Sequence, residues 1–153
     1  MSIGDYCQRD VRTIDAGATL RDAAQQLAAE GVGSLVVLEG RHPRGLLTDR
    51  DVALRVLRGG ADPDVMTTLE AVGGDPIVVH ETSPLRAATA VMRRSARRRL
   101  PVIDARGELV GVIAFDDVLR LVAQELADIS EVVAAQAPPG TTPVVGADTP
   151  EVE

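Results

Sequence analysis

Two short segments of the chain place a carboxylate where an apolar strand turns into a helix. In the first, which reads GLLTDRDV, the strand ends at Thr48 and Asp51 follows three residues later. In the second, GVIAFDDV, Asp117 supplies the matching acid, but Ala114 replaces the hydroxyl residue. A carboxylate can accept hydrogen bonds from both hydroxyls of a ribose, and the free N–H groups at a helix start favour phosphate. Both corners are therefore candidates for binding a nucleotide.

Helix capping is the competing explanation for the same residues. A threonine followed three residues later by an aspartate can satisfy the N–H groups of a helix start without any ligand. Because the pattern occurs twice, we favour a ligand corner around Thr48 and Asp51. The two explanations stay balanced for Asp117, since Ala114 has no hydroxyl and Asp116 could cap the helix instead.

The segments around the two corners follow one another in the same order, which indicates an internal repeat. The apolar run Leu35–Leu38 matches Leu100–Ile103, and Leu20 matches Leu85 within a helical pattern. The continuous run Leu35–Leu38 predicts a strand buried on both faces. Each half reads as β-α-β-β-α and is too small to bury much surface alone. We therefore predict an α+β fold, with two such repeats around a shared core.

The sequence divides into three segments, and it also predicts where the last helix begins. Residues 1–75 are assigned to the first repeat with an N-terminal arm and a connector, 76–137 to the second repeat, and 138–153 to a disordered acidic tail. The last helix is predicted to begin at Asp116 or Asp117.

Two further helix starts carry recognisable caps. Thr19 and Asp22 predict a capping box for the first long helix. Ser83, followed by Pro84 at the favoured first helical position, predicts the cap of its counterpart in the second repeat.

Composition argues against several classes of function. Only Tyr6 and Phe115 are aromatic, so bases cannot stack on an aromatic platform, and the net charge of −7 opposes a nucleic-acid partner. All 16 basic residues are arginines, which excludes a lysine Schiff base and a P-loop lysine. One cysteine and two distant histidines give no metal-binding spacing. Without a signal sequence or an apolar run of about eighteen residues, we expect a cytoplasmic protein with no membrane contact.

A run of arginines precedes the middle strand of the second repeat. Its members are Arg93, Arg94, Arg97, Arg98 and Arg99. Most charge runs are solvated helix faces, but arginine is also the side chain best suited to phosphate. Because the run lies beside the predicted cleft of an otherwise acidic chain, we favour phosphate binding.

The chain resembles a tandem pair of CBS domains, also called a Bateman module, over roughly residues 10–125. The family signature is Gly, two apolar residues, Ser or Thr, two variable residues and Asp. Gly45–Asp51 matches it fully, and Gly111–Asp117 matches it except at Ala114. Leu100–Asp104 resembles the middle strand of the family. With no catalytic domain attached, the chain is similar to small stand-alone bacterial CBS proteins.

The resemblance implies two repeats whose sheets pack face to face. It also implies clefts for adenosine-containing ligands such as AMP, ADP, ATP or S-adenosylmethionine, and pairs that dimerise into a flat disc. In the family, the edge before the middle strand meets adenine or phosphate, and this edge corresponds to Gly33-Ser34 and Arg98-Arg99 here. The candidate nucleotide-binding residues are Thr13, Gly33, Ser34, Leu35, Thr48, Asp49, Arg50, Asp51, Arg98, Arg99 and Asp117. We expect no required cofactor, since the resemblance implies an adenine nucleotide as a regulatory ligand.

Three functions follow as hypotheses. The leading one is a homodimeric regulatory module that senses an adenine nucleotide and passes its occupancy to a regulated protein. The alternative is a ligand-free structural protein that dimerises and docks on a partner. The third is a small hydrolase or other enzyme, which is disfavoured because the acid pairs of both corners can cap helices and lack a nucleophile or metal cluster. We expect one nucleotide per chain, with its ribose held by Thr48 and Asp51.

Overall fold

The computed structural model describes residues 2–136, so the predicted tail over 138–153 lies outside the described residues. The first repeat contains β1 (Thr13–Asp15), α1 (Leu20–Glu30), β2 (Ser34–Glu39), β3 (His42–Thr48) and α2 (Asp49–Ala53), which continues as a π-helical segment over Leu54–Arg58. The connector carries α3 (Thr68–Val72). The second repeat contains β4 (Val79–His80), α4 (Leu85–Ser95), β5 (Arg99–Ile103), β6 (Leu109–Ala114) and α5 (Phe115–Ala135). The predicted α+β class and the β-α-β-β-α order of both halves are confirmed.

Each repeat has its own three-stranded sheet, and the two sheets share one topology. The outer strands β1 and β4 run parallel to the middle strands β2 and β5, because a helix crosses between them. The middle strands pair antiparallel with β3 and β6. Both antiparallel pairs shift register at the same place, between Val37 and Leu38 in one and between Val102 and Ile103 in the other. This shared irregularity supports the repeat alignment made from the sequence.

The middle strands are buried on both faces, as their continuous apolar runs predict. Leu35 and Val37 pack into a core cluster with α1, whereas Val36 points to the other face and is 1% exposed. In β5, Leu100 joins the second cluster and Pro101 is buried on the opposite face. Strands β3 and β5 contact each other, which brings these outer faces together between the repeats. Within residues 2–136 the core thus consists of two clusters, one in each repeat.

The cap predicted for α1 is confirmed, and the cap predicted for α4 is wrong. Thr19 Oγ1 accepts a hydrogen bond from the Asp22 N–H (3.2 Å), and Asp22 Oδ2 accepts from the Thr19 N–H (2.9 Å). In the second repeat Pro84 itself occupies the N-cap position, and α4 begins one residue later. Ser83 lies one residue before the N-cap position, and its N–H donates to the His80 carbonyl at 3.0 Å.

Helix α5 begins one residue before the earliest predicted start. The Phe115 N–H donates to the Arg98 carbonyl at 2.7 Å, and this contact fixes the turn from β6 into the helix. Residues 120–136 belong to a second compact unit, which bears apolar side chains that are 46–65% exposed. None of the helices within residues 2–136 is long and apolar enough to cross a membrane.

The N-terminal arm packs on the second repeat, although the sequence assignment grouped it with the first. Ile3 is fully buried in the second core cluster, and its N–H donates to the Ser83 carbonyl at 2.8 Å. Gln8 exchanges two backbone hydrogen bonds of 2.9 Å with Val112 of β6. The arm therefore extends the second sheet by a short antiparallel bridge.

The glycine that opens each corner segment makes room for a neighbouring element. A Cβ on Gly111 would lie 2.5 Å from the Gln8 carbonyl oxygen and 2.8 Å from Cys7 Sγ, both in the arm. A Cβ on Gly45 would lie 2.9 Å from Cβ of Val72 in α3. Close packing, rather than backbone conformation, thus explains glycine at both positions.

Candidate functional site

Three predicted site residues share the sheet face that looks toward the second repeat. Thr13 pairs with Val36, which pairs with Leu46, and Ser34 pairs with Thr48. Directly paired residues lie on the same face of a sheet, and Val36 is on the face opposite the first core cluster. The fold therefore groups the side chains of Thr13, Ser34 and Thr48 on one surface.

Thr48 and Asp51 form a complete capping box at the start of α2. Asp51 Oδ2 accepts from the Thr48 N–H (3.0 Å) and from Thr48 Oγ1 (2.8 Å), and the Asp51 N–H donates to Thr48 Oγ1 (3.1 Å). The described part of the chain places no hydrogen-bond donor on the other oxygen, Oδ1 of Asp51. The capping interpretation is confirmed, but it leaves one carboxylate oxygen available to a ligand.

The second corner is built differently. Arg99 pairs with Ala114, just as Ser34 pairs with Thr48, so the alignment of the repeats holds. Ala114 cannot cap α5, and Asp117 Oδ2 instead accepts a hydrogen bond from Gln8 Nε2 of the arm at 3.2 Å. The position that corresponds to Asp51 is thus in contact with the protein's own N-terminal segment.

Several other predicted site residues lie on the opposite side of their strands. Because side chains alternate along a strand, Gly33 and Leu35 face the helices while Ser34 faces the second repeat. Leu35 is fully buried in the first core cluster. A Cβ on Gly33 would lie 3.9 Å from Asp49 Oδ2, and Asp49 itself lines a groove between α1 and α2. Arg50 is exposed on α2.

Arg98 shares this orientation in the second repeat. Its Nη2 donates to Asp116 Oδ1 at 2.7 Å, and its guanidinium lies 5.6 Å from the centre of the Phe115 ring. The side chain therefore follows the first turn of α5. The prediction grouped Arg98 with Arg99, but strand alternation separates them.

A cleft between the repeats collects arginines from both of them. Its empty space, open solvent included, is about 400 Å³. The lining residues are Arg44, Gly45, Leu46, Val72, Gly73, Asp75, Ile77, Arg97, Arg99, Leu100 and Pro101. Arg99 is thus the predicted site residue that lies in this cleft, directly across from strand β3.

Sequence reasoning missed Arg44. In the register of β2 and β3, Val37 pairs with Gly45 and Leu38 pairs with Pro43, so Arg44 is the extra residue of a β-bulge. A bulge re-aims its side chain and breaks the simple alternation of the strand. No pattern in the sequence marks this bulge, which explains why the arginine was not found.

No group of three or more His, Cys, Asp or Glu side chains within residues 2–136 is arranged to hold a metal ion.

The family model for the CBS domain matches residues 3–58 and 63–124. Among curated proteins, the chain is 35% identical to the CBS domain-containing protein YhcV of Bacillus subtilis over 121 residues, covering 76% of this chain and 81% of the relative.

Two solved structures extend the comparison. The CBS domain protein PAE2072 from Pyrobaculum aerophilum, complexed with AMP, is 29% identical, with a TM-score of 0.70 over 84% of this chain and 99% of the other. Hypoxic Response Protein I, with two coordinated zinc ions, is 28% identical, with a TM-score of 0.73 over 78% of this chain and 98% of the other. With two matched repeats on a shared topology, the chain belongs to the CBS-domain family and is a tandem CBS pair.

Proposed function

We propose that this CBS pair is a regulatory module that binds an adenosine nucleotide between its repeats and transmits its occupancy to a partner protein. The observation that carries the proposal is the grouping of Thr13, Ser34 and Thr48 on the face that looks toward the second repeat, with Asp51 fixed beside them. A structural relative that is 29% identical is a complex with AMP, which supports a ligand of this chemical class.

The residues take distinct roles in the proposed complex. Asp51 accepts hydrogen bonds from the ribose through Oδ1, while Thr48 holds the carboxylate through Oδ2. Thr13 and Ser34 offer hydroxyl groups to the nucleoside from neighbouring strands. Arg99 lines the cleft toward which the phosphate extends. Asp117 contributes less, because Gln8 already donates to it.

A ligand panel tests the proposal by thermal shift. AMP, ADP, ATP and S-adenosylmethionine are compared at equal concentration on the wild-type chain and on Asp51→Ala. A ligand at one hundred times its dissociation constant stabilises the native state by about 2.7 kcal/mol, so binding raises Tm. A shift in the wild type that disappears in Asp51→Ala supports the proposal.

The alternative is a ligand-free interaction protein, and it is favoured by one observation. Asp51 already has a complete structural role as a cap, so it would be retained without any ligand. Unchanged Tm with every member of the panel would select this alternative. Catalysis is not part of either proposal, because the acidic residues at both corners are in capping or hydrogen-bonded contacts. A cytoplasmic location also remains a prediction.

A homodimer is the second part of the proposal. Within residues 120–136, Val122, Leu126, Ile129 and Val133 are exposed and spaced by four, three and four residues. This spacing fits the seam that one helix presents to another in a coiled coil. Light scattering on the wild type and on Leu126→Glu tests it, with Glu131→Gln as a control on the same helix. A monomeric molar mass for the wild type at tens of micromolar would contradict the dimer.

A further inference from the structure

Helix α4 carries an arginine stripe that the rest of the described chain does not neutralise. Its members are Arg86, Arg93 and Arg94, which are all exposed. None of the three side chains forms an ion pair or a hydrogen bond with any residue between 2 and 136, although the chain has 23 acids for 16 arginines. Helix α4 itself contains no acid. The stripe is therefore a surface of unpaired positive charge on an acidic protein.

The stripe is straight and about two helical turns long. Arg86 and Arg93 are seven residues apart, so they lie on nearly the same side of α4, about 10.5 Å from each other along its axis. Arg94 flanks Arg93, and Ala90 lies between the two ends of the stripe. Because alanine has a small side chain, the surface between the charged groups stays low. An elongated segment can therefore lie along the helix and reach both ends of the stripe.

The first repeat shows that the fold does not require these charges. In the alignment of the repeats, Arg93 and Arg94 correspond to Ala28 and Ala29 of α1. Both helices nevertheless have 11 residues and end on a residue in the left-handed conformation. Basic residues in a last turn can stabilise a helix through its dipole, but α1 ends without one. Helix stability alone thus does not explain the two arginines.

Arg86 also differs from its counterpart in the first repeat. The matching residue, Arg21, donates two hydrogen bonds to the carboxylate of Asp64, so its charge is compensated within the chain. No acid between residues 2 and 136 takes this role for Arg86. The same position of the repeat is therefore paired in one half and unpaired in the other.

The arginine stripe is separate from the cleft between the repeats. Arg97 and Arg99 line that cleft, but Arg93 and Arg94 are not among its lining residues. A ligand in the cleft therefore does not account for the charges on α4.

We infer that the arginine stripe docks an acidic segment of a partner protein. Guanidinium groups bind carboxylates through paired, charge-assisted hydrogen bonds, and a helix with glutamates seven residues apart reproduces the spacing of the stripe. A nucleic acid is disfavoured, because it would extend beyond the stripe along a chain with a net charge of −7. The inference names the partner chemistry for the function proposed above, but the docking itself needs no nucleotide.

Fluorescence anisotropy on the full chain tests the docking. The probe is a labelled, alanine-rich helical peptide with glutamates seven residues apart, and its glutamine analogue is the peptide control. We expect only the glutamate peptide to bind, and to bind more weakly as salt is added. The double variant Arg93→Ala and Arg94→Ala should weaken it at least about fivefold, within the range that two exposed ion pairs supply. Adding Arg86→Ala should weaken it further.

Two exposed arginines outside α4 provide a control of matched net charge. The double variant Arg58→Ala and Arg106→Ala also removes two positive charges, and it should leave the peptide affinity unchanged. Circular dichroism checks that each variant is folded. We expect α4 to tolerate alanine, because alanine has the highest helix propensity and α1 carries it at the positions of Arg93 and Arg94.

Several outcomes would overturn the inference. They are no binding of the glutamate peptide, equal affinity in the wild type and the α4 double variant, and an equal loss in the control variant. Tighter binding of a single-stranded RNA with the same charge would assign the stripe to nucleic acid instead. A lower molar mass of the α4 double variant in light scattering, without peptide, would assign it to a second copy. Because these measurements omit nucleotides, the function proposed above is decided separately by its own thermal shifts.

Discussion

Gln8 donates a hydrogen bond to Asp117 across 109 residues of sequence, from Nε2 to Oδ2 at 3.2 Å. The corresponding carboxylate in the first repeat, Asp51, is held by Thr48, its own neighbour in the chain. Two corners that match in sequence therefore differ in what occupies them. One is closed by a local cap that leaves an oxygen available, and the other contacts the N-terminal arm.

This difference predicts one nucleotide per chain. Asp117→Ala should lower the affinity much less than Asp51→Ala and leave the stoichiometry unchanged, because Asp117 already has a partner in the protein and lacks a neighbouring hydroxyl at Ala114. Titration calorimetry with ATP measures both quantities. Two equivalent sites per chain, or loss of all binding in Asp117→Ala, would contradict the assignment.

Asp51→Ala should weaken nucleotide binding and also cost about 1 kcal/mol of folding stability, since it removes the carboxylate that completes the capping box with Thr48. Asp22→Ala is a matched control, because Asp22 forms the same capping box with Thr19 on α1. Both variants should lose similar stability in urea denaturation, but only Asp51→Ala should weaken the ligand, by ten- to hundredfold or about 1.5–3 kcal/mol. Equal ligand affinities in the two variants would show that Asp51 serves only as part of a helix cap.

The arm should contribute strongly to stability. Ile3→Ala removes a fully buried side chain from the second core cluster, and such substitutions cost about 2–5 kcal/mol. Val65→Ala, at a position that is 71% exposed, is the control and should change the free energy of unfolding by less than about 0.5 kcal/mol. Urea denaturation measures the free energy of unfolding of both variants. An unchanged value in Ile3→Ala would show that the arm does not stabilise the protein.

Acid should destabilise the protein through its capping carboxylates. The pKa of Asp22 lies below its ordinary 3.8 because the Thr19 N–H and hydroxyl donate to the carboxylate. The pKa of Glu70 lies below its ordinary 4.5 because the Thr67 N–H and hydroxyl do the same. A lowered folded-state pKa stabilises the native state above the ordinary value, and this stabilisation is lost as pH falls.

The free energy of unfolding should therefore hold steady down to about pH 5 and decline below the ordinary values of 4.5 and 3.8. Urea denaturation at several pH values measures it. The double variant Asp22→Asn and Glu70→Gln should show a shallower decline. A gain in stability on acidification through this range would reject the assignment of these two groups.

The sequence predicts the repeats well because their signals are local. The run Leu35–Leu38 predicts a strand buried on both faces, and the capping box formed by Thr19 and Asp22 predicts a helix start. Each prediction needs only a few adjacent residues. The alternation of side chains along β2 is a local signal as well, and it places Ser34 and Leu35 on opposite faces of the sheet. In contrast, the bulge at Arg44 depends on the pairing of two strands.

The place of the arm could not be predicted for a related reason. Ile3 and Gln8 precede the first repeat in the chain, but their partners lie in the second. Contacts so distant in sequence leave no periodic pattern, and the glycine at Gly111 that accommodates the arm also fits the signature of the repeat. The cap predicted at Ser83 is wrong although its local motif is favourable. Ser83 instead ends a turn that lies just before α4.

The docking of the arm also bears on how the chain folds. During synthesis the first repeat leaves the ribosome with all its own strands, but Ile3 and Gln8 must wait until β6 has been made. Contacts between residues so far apart are paid for in loop entropy and tend to form late. The second repeat should therefore complete its core only when the arm packs onto it. Ile3 and Gln8 should thus be among the last residues to form their native contacts.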